Sequence, residues 1–339
     1  MPNPRREGKS RKSKGPARGS RESYVLGIDL GATKVVSGLV ARDGMIRRHS
    51  GRTVHANTGP GGVIRTVARN ARSCLGPGNP MPARVGIAVA GQVDPRTGTV
   101  VHAPNLGWRD VPLARRLSED LHRPVAVIND ARAATLAEWK FGAGMGASDV
   151  FCLTLGTGVG GSAVVGGQLL EGGSHALGEV GHMTIVVGGR RCHCPNWGCL
   201  EAYVGGWAIA ERAREAIRSD PESGVALVQR AGSAEGVTAQ IVFQVYRAGD
   251  PLAGRIVRET ERFLADGAVG IVNAFNPSVL ILAGGLVSGL PEFVPIVESA
   301  IRARCQPPAA GARVVAARLG EDASLIGAAF LAWNPSMAR

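Results

Sequence analysis

Three cysteines fall within eight residues, Cys192, Cys194 and Cys199, with His193 among them and His182 ten residues upstream. The other three cysteines, Cys74, Cys152 and Cys305, are scattered. Such clustering points to a metal rather than to disulfides in a chain that reads as cytosolic. A tetrahedral zinc site closed by three thiolates needs a fourth ligand. In an extended turn, His193 points away from the face that Cys192 and Cys194 share. His182 can fold back, so it is the expected fourth ligand, with His193 the alternative. Four protein ligands leave no open position for water, which makes the metal structural.

Other residues suit the handling of phosphate. An apolar run ends in Asp29-x-Gly31-x-Thr33-Lys34. Glycine lets backbone N–H groups approach a phosphate, a carboxylate can hold hydrated Mg²⁺, and a lysine supplies a point charge. Lys34 is one of five lysines against 34 arginines, and three of those five lie in residues 1–23. Gly156-Thr157-Gly158-Val159-Gly160-Gly161 lacks the ending of a Walker A loop and the spacing of a dinucleotide fingerprint. It reads as a glycine hairpin that either cradles phosphate or simply turns the chain. Asn129-Asp130 closes a mostly β-branched run and opens a helical stretch. An aspartate at the carboxyl end of a strand can take a proton from an attacking hydroxyl; it can equally cap the helix.

The elements that position these residues follow from apolar patterning. Short runs at 24–30, 35–41, 84–90, 125–128, 149–155 and 278–282 read as strands, with a hairpin turn at Asp43-Gly44. Helices are expected near 63–74, 112–121, 131–141, 253–275 and 323–333, the last one packing back on the first domain. The unit of strand, glycine turn and strand occurs twice, which suggests two related α/β domains. The expected division is 24–129 with about 322–339 as the smaller domain, and 130–321 as the larger one holding the metal site.

With 339 residues the chain exceeds what one small core organises. No apolar run reaches the ~18 residues of a membrane span, and no apolar segment follows the basic N-terminus, so a cytoplasmic location is expected. Residues 1–23 carry eight basic and two acidic side chains, hence +6 of the chain's formal +12. That composition reads as a disordered tail, with non-specific nucleic-acid contact as its alternative use.

The motifs occur in the order seen in the ROK family of bacterial sugar kinases and repressors, and the sequence resembles that family's ATP-dependent glucokinases over about 24–333. The matching segments are 29–34, 103–108, 129–131, 155–161, 178–182 and 192–201. The resemblance implies an actin-like, ribonuclease H-like fold with a cleft between two α/β domains. It implies transfer of the γ-phosphoryl of ATP, with Mg²⁺, to a hexose hydroxyl, with O6 of glucose foremost and Asp130 as general base. It assigns hexose contacts to Asn105, Asn129, Asp130, Glu179, His182 and Glu201. Phosphates fall on Asp29, Gly31, Thr33 and Lys34 and on Gly156, Thr157 and Gly158, with adenine near Gly284 and Gly285. Structural zinc falls to His182, Cys192, Cys194 and Cys199. The resemblance also implies a homodimer or homotetramer. Zinc should thus order three of the hexose contacts, Glu179, His182 and Glu201, and leave both phosphate turns untouched.

Two positions depart from the family pattern: Pro195 replaces a glycine, and Arg132 an asparagine. Arg132 within reach of Asp130 would lower the pKa of that carboxylate. Kinases of N-acetylmannosamine, fructose, mannose or allose are the alternatives within the family, and a non-catalytic sugar-binding regulator is the alternative outside enzymology. Only residues 1–23 precede the first expected strand, too short a stretch for the DNA-binding unit of a repressor.

Overall fold

The computed structural model describes residues 24–75 and 81–338. The basic segment 1–23 lies outside them. Thirteen strands form three sheets among the described residues: β1 (Val25–Leu30), β2 (Lys34–Val40), β3 (Ile46–Thr53), β4 (Val85–Val89), β5 (Gln92–Asp94), β6 (Thr99–Ala103), β7 (Trp108–Val111), β8 (Val125–Asn129), β9 (Val150–Leu155), β10 (Val159–Val165), β11 (Gln168–Leu169), β12 (Val279–Ala283) and β13 (Arg313–Ala316). Two sheets have the same plan, in the orders β3-β2-β1-β4-β8 and β11-β10-β9-β12-β13. In each, an antiparallel trio continues into two parallel strands. The repeated strand–turn–strand pattern in the sequence is this repeated half-sheet.

The central strands are buried on both faces, as continuous apolar runs require. Register then aligns the chemistry. Asp29 on β1 pairs with Ala88 on β4, and Val89 pairs with Asn129 on β8, so Asp29 and Asp130 emerge at one edge. In the second sheet, Thr154 pairs with Ala283 on β12, so the 156–158 turn and Gly284 emerge together.

Helices Asp130–Phe141 and Ala323–Trp333 lie between the sheets. Their side chains Leu136, Ala328 and Leu331 share a core with Ile128 of the first sheet and Val164 of the second. Two glycines allow this closeness. A Cβ on Gly86 would sit 1.8 Å from the Ala328 carbonyl oxygen, and one on Gly327 would sit 1.7 Å from that of Ala133. Separate cores fill the two halves, one built from residues between 26 and 127 and one from residues between 151 and 314.

Expected helices run longer than the patterning showed. The 63–74 stretch extends to Gly59–Leu75, and the 253–275 stretch begins at Pro251, where the Asp250 side chain accepts the Ala253 N–H at 2.8 Å. The small sheet β5-β6-β7 and the helices Gly206–Ser219, Val225–Ala231 and Ala239–Arg247 were not expected. No described helix is long and apolar enough to cross a membrane.

Candidate active site

Asn129 and Asp130 divide the two roles that either could fill. Asn129 is the cap: its Oδ1 accepts the Arg132 N–H at 3.1 Å, while its Nδ2 donates to the Gly91 carbonyl at 3.1 Å and to Asp130 Oδ1 at 2.9 Å. The Ala131 N–H donates to the same Asp130 oxygen at 2.9 Å. Asp130 is thereby fixed through one oxygen at the first position of the helix. Burial raises its pKa, and these hydrogen bonds only partly offset that. The expectation that Arg132 would lower the Asp130 pKa is corrected. The Arg132 guanidinium turns away and donates from Nη2 to the carbonyls of His175 at 2.6 Å and Leu177 at 3.3 Å.

Asp29 faces the same space. Its pKa is pushed up to about 6, first by burial and then by the charge of Asp130, with Lys34 pulling the other way. The turn that follows is closed by the Gly31 N–H on the Lys34 carbonyl at 2.9 Å. Asp29, Gly31, Thr33 and exposed Lys34 line a cavity of about 730 Å³ that Glu321 and Asp322 close.

The glycine hairpin is anchored from below. Gly206 N–H and Trp207 N–H donate to the carbonyls of Gly156 and Thr157 at 2.9 and 3.2 Å. Glu201 Oε2 accepts the Val159 N–H at 2.8 Å, and Glu201 Oε1 accepts from Trp207 Nε1 at 3.2 Å. Glu201 therefore supports the hairpin directly, which no spacing in the sequence revealed. Gly156 and Thr157 share a cavity of about 440 Å³ with Thr238, Gln240 and Gly285. Gly284 and Gly285, together with Asp130, Thr154 and Ser324, line another of about 610 Å³.

A second cavity of about 330 Å³ also has Asp130 in its wall, and Asn129, Arg132, His175 and Glu179 line it with Gln92 and His102. Of the six expected hexose contacts, Asn129, Asp130 and Glu179 are on its wall, and Asn105, His182 and Glu201 are not, the Glu201 carboxylate being turned to the hairpin. Asn105 stands exposed beside Pro104, which lines the cavity, and His182 sets Nε2 3.9 Å from Glu179 Oε2. Gln92 and His102, paired across β5 and β6, were missed because strands of three and five residues are too short to carry a clear periodic signal.

The thiols and His182 converge. One ligand atom from each of His182, Cys192, Cys194 and Cys199 lies within 4.8 Å of all the others. Cys192 Sγ is 3.7 Å from His182 Nδ1, and Cys194 Sγ is 3.6 Å from Cys199 Sγ. Ligands about 2.3 Å from a tetrahedral zinc are separated by about 3.8 Å, so the donor set and its spacing fit that ion. His193 instead stacks on Trp207, with ring centroids 3.8 Å apart. Pro195 is exposed in the turn, which is closed by the Cys192 N–H on the Asn196 carbonyl at 3.1 Å and so asks nothing of the N–H that proline lacks. The Cys192–Cys199 segment leads through Leu200 into Glu201, which holds the Val159 N–H, a connection to the 156–159 hairpin that the expectation of independent phosphate turns left out.

Two half-sheets of like topology, with catalytic candidates at the carboxyl edges of their parallel strands, define an actin-like ATPase fold. The ROK family model matches residues 25–334, and the chain belongs to that family. It is 35% identical to a glucokinase of Streptomyces coelicolor over 317 residues, covering 92% of this chain and 98% of that one. It is 36% identical to a glucokinase of Thermotoga maritima over 308 residues, covering 90% and 96%. A Streptomyces griseus ROK glucokinase solved with glucose and AMPPNP superposes with a TM-score of 0.77 at 33% identity, covering 91% and 99%.

Proposed function

We propose that the chain is a glucokinase that transfers the γ-phosphoryl group of ATP to O6 of glucose, with Asp130 as general base. One observation carries this reading: Asp130 lines both the 330 Å³ cavity and the 610 Å³ cavity that contains Gly284 and Gly285. A carboxylate at that junction can take the proton of a hydroxyl on one side while the phosphorus lies on the other. Similarity to curated glucokinases, and to a structure holding glucose and a nucleotide analogue, supports the same assignment of substrates.

In this reading the hexose sits against Asn129, Asp130 and Glu179, with Asn105, His182 and Glu201 completing its surroundings. The hydroxyl oxygen forms a bond to the γ-phosphorus as the bond to the β-phosphate oxygen breaks. Asp130 accepts the hydroxyl proton, and ADP leaves. Phosphoryl transfer gains mainly from positioning and from compensation of the phosphate charge. Lys34 and the N–H groups of Gly31, Thr33, Gly156, Thr157 and Gly158 supply that compensation, and adenine lies near Gly284 and Gly285. Asp29 is the residue placed to hold hydrated Mg²⁺, whose charge neutralises the phosphates when bound. Zinc on His182, Cys192, Cys194 and Cys199 is structural, since protein atoms fill its tetrahedron. We infer two lobes, 24–129 with about 322–339 and 130–321, supported by the separate cores of the two halves.

The test is turnover with purified protein, ATP and Mg²⁺ across glucose, N-acetylmannosamine, fructose, mannose and allose. ADP release should depend on the sugar, and kcat/KM should be highest for glucose. Absence of sugar-dependent ADP release would contradict the reading in favour of a non-catalytic sugar-binding regulator.

A further inference from the structure

Arg132 lies two residues after Asp130 on the same helix and is only 7% exposed. A guanidinium buried to that degree is costly unless its charge and donors are answered. The answering groups lie on one segment. Nη2 donates to the carbonyls of His175 and Leu177, and the carboxylates of Glu171 and Glu179 are the charges that face it. Glu171 also holds His175, with Oε2 2.9 Å from Nδ1.

Residues 171–178 form a compact turn that is clamped at both ends. Leu177 N–H donates to the Glu171 carbonyl at 3.1 Å, and His175 N–H to that of Gly172 at 3.2 Å. His175 has φ +56°, a left-handed conformation that costs a residue with a Cβ unless its surroundings impose it. At the far end Gly178 has φ +102°, and a Cβ there would lie 2.0 Å from the Gly161 carbonyl oxygen. The turn is thus tied to the Asp130 helix by Arg132 and pressed against β10 at Gly178. The next residue is Glu179, and His175, Leu177, Gly178 and Glu179 all line the 330 Å³ cavity.

We propose that Arg132 is a positioning residue for the hexose. By latching the 175–177 backbone to the helix that carries Asp130, it sets the distance across the cavity between the proton acceptor and Glu179. This inference rests on reading that cavity as the hexose site. Both bonds leave Nη2, whose two N–H groups are held in the plane of the guanidinium, whereas a lysine ammonium is a compact point charge on a flexible stem without that fixed geometry.

The experiment compares steady-state kinetics of the full chain with Arg132→Met, Arg132→Lys and Glu171→Gln. Small displacements of positioning groups can cost up to about 10²-fold. Arg132→Met should raise the KM for glucose about tenfold or more and leave the KM for ATP within about twofold. Arg132→Lys should recover part of the loss, and Glu171→Gln should shift the glucose KM in the same direction by less. General destabilisation would instead degrade both substrates together, and that pattern overturns the proposal. If Arg132→Met does not fold, Glu171→Gln decides: a glucose KM within twofold of wild type overturns the latch. Wild-type protein that turns over no hexose would remove the underlying reading. An active wild type with unchanged glucose KM in the variants would remove the latch alone.

Discussion

At the scale of residues, two carboxylates with different surroundings share the cleft. Asn129 takes the helix cap and leaves Asp130 available, a division that the dipeptide Asn129-Asp130 could not announce because either side chain caps well. Asp29 keeps its proton up to about pH 6 in the folded chain, against its ordinary 3.8. Between those values the folded state binds more protons than the unfolded one, so this group makes stability fall as pH rises through that window. A shift of that size corresponds to roughly 3 kcal/mol lost by pH 7. Asparagine does not titrate. In thermal unfolding without nucleotide or magnesium, Asp29→Asn should therefore gain stability relative to wild type as pH goes from 4 to 7. A difference in Tm that stays constant across that range would contradict the burial and charge coupling described for Asp29.

At the scale of elements, the metal loop and the glycine hairpin form one unit through Glu201 and Trp207. Wild-type protein should contain one zinc per chain by elemental analysis. Cys194→Ser should lose it and raise the glucose KM by about tenfold or more, the scale of loss that displaced contacts produce. The ATP KM should rise as well, by a smaller factor, because the Val159 N–H loses the support of Glu201. His193→Ala should retain the zinc. Metal-free wild-type protein with full activity would contradict the structural role, and an unchanged ATP KM in Cys194→Ser would contradict the link to the hairpin. The cluster of His182, Cys192, Cys194 and Cys199 was legible in the sequence because thiol spacing is local. The hairpin's anchor was not, since the Glu201 contact spans 42 residues and involves a backbone N–H that any residue carries. The same holds for Arg132, whose carbonyl partners lie 43 and 45 residues away.

At the scale of the whole molecule, the duplicated sheet plan brings Asp29 and Asp130 to the edge of one sheet and the 156–158 turn and Gly284 to the edge of the other. Strands with continuous apolar runs and the long helix ending at Phe275 were readable from patterning alone, and the helix Gly206–Ser219 was not. The short strands β5 and β6 were not, although Gln92 and His102 complete the 330 Å³ cavity. Family resemblance placed Asp130, and the structure adds that it lies on the boundary of two cavities. The most direct test of the account is the single-turnover and steady-state rate of Asp130→Asn with ATP, Mg²⁺ and glucose. The amide keeps a hydrogen bond to the hydroxyl and cannot accept its proton. General-base contributions are about 10²–10⁴-fold, so kcat should fall by at least about 10²-fold with a much smaller change in glucose affinity. A variant that retains more than about a third of wild-type kcat, well short of any general-base loss, would show that Asp130 serves the helix and not the reaction.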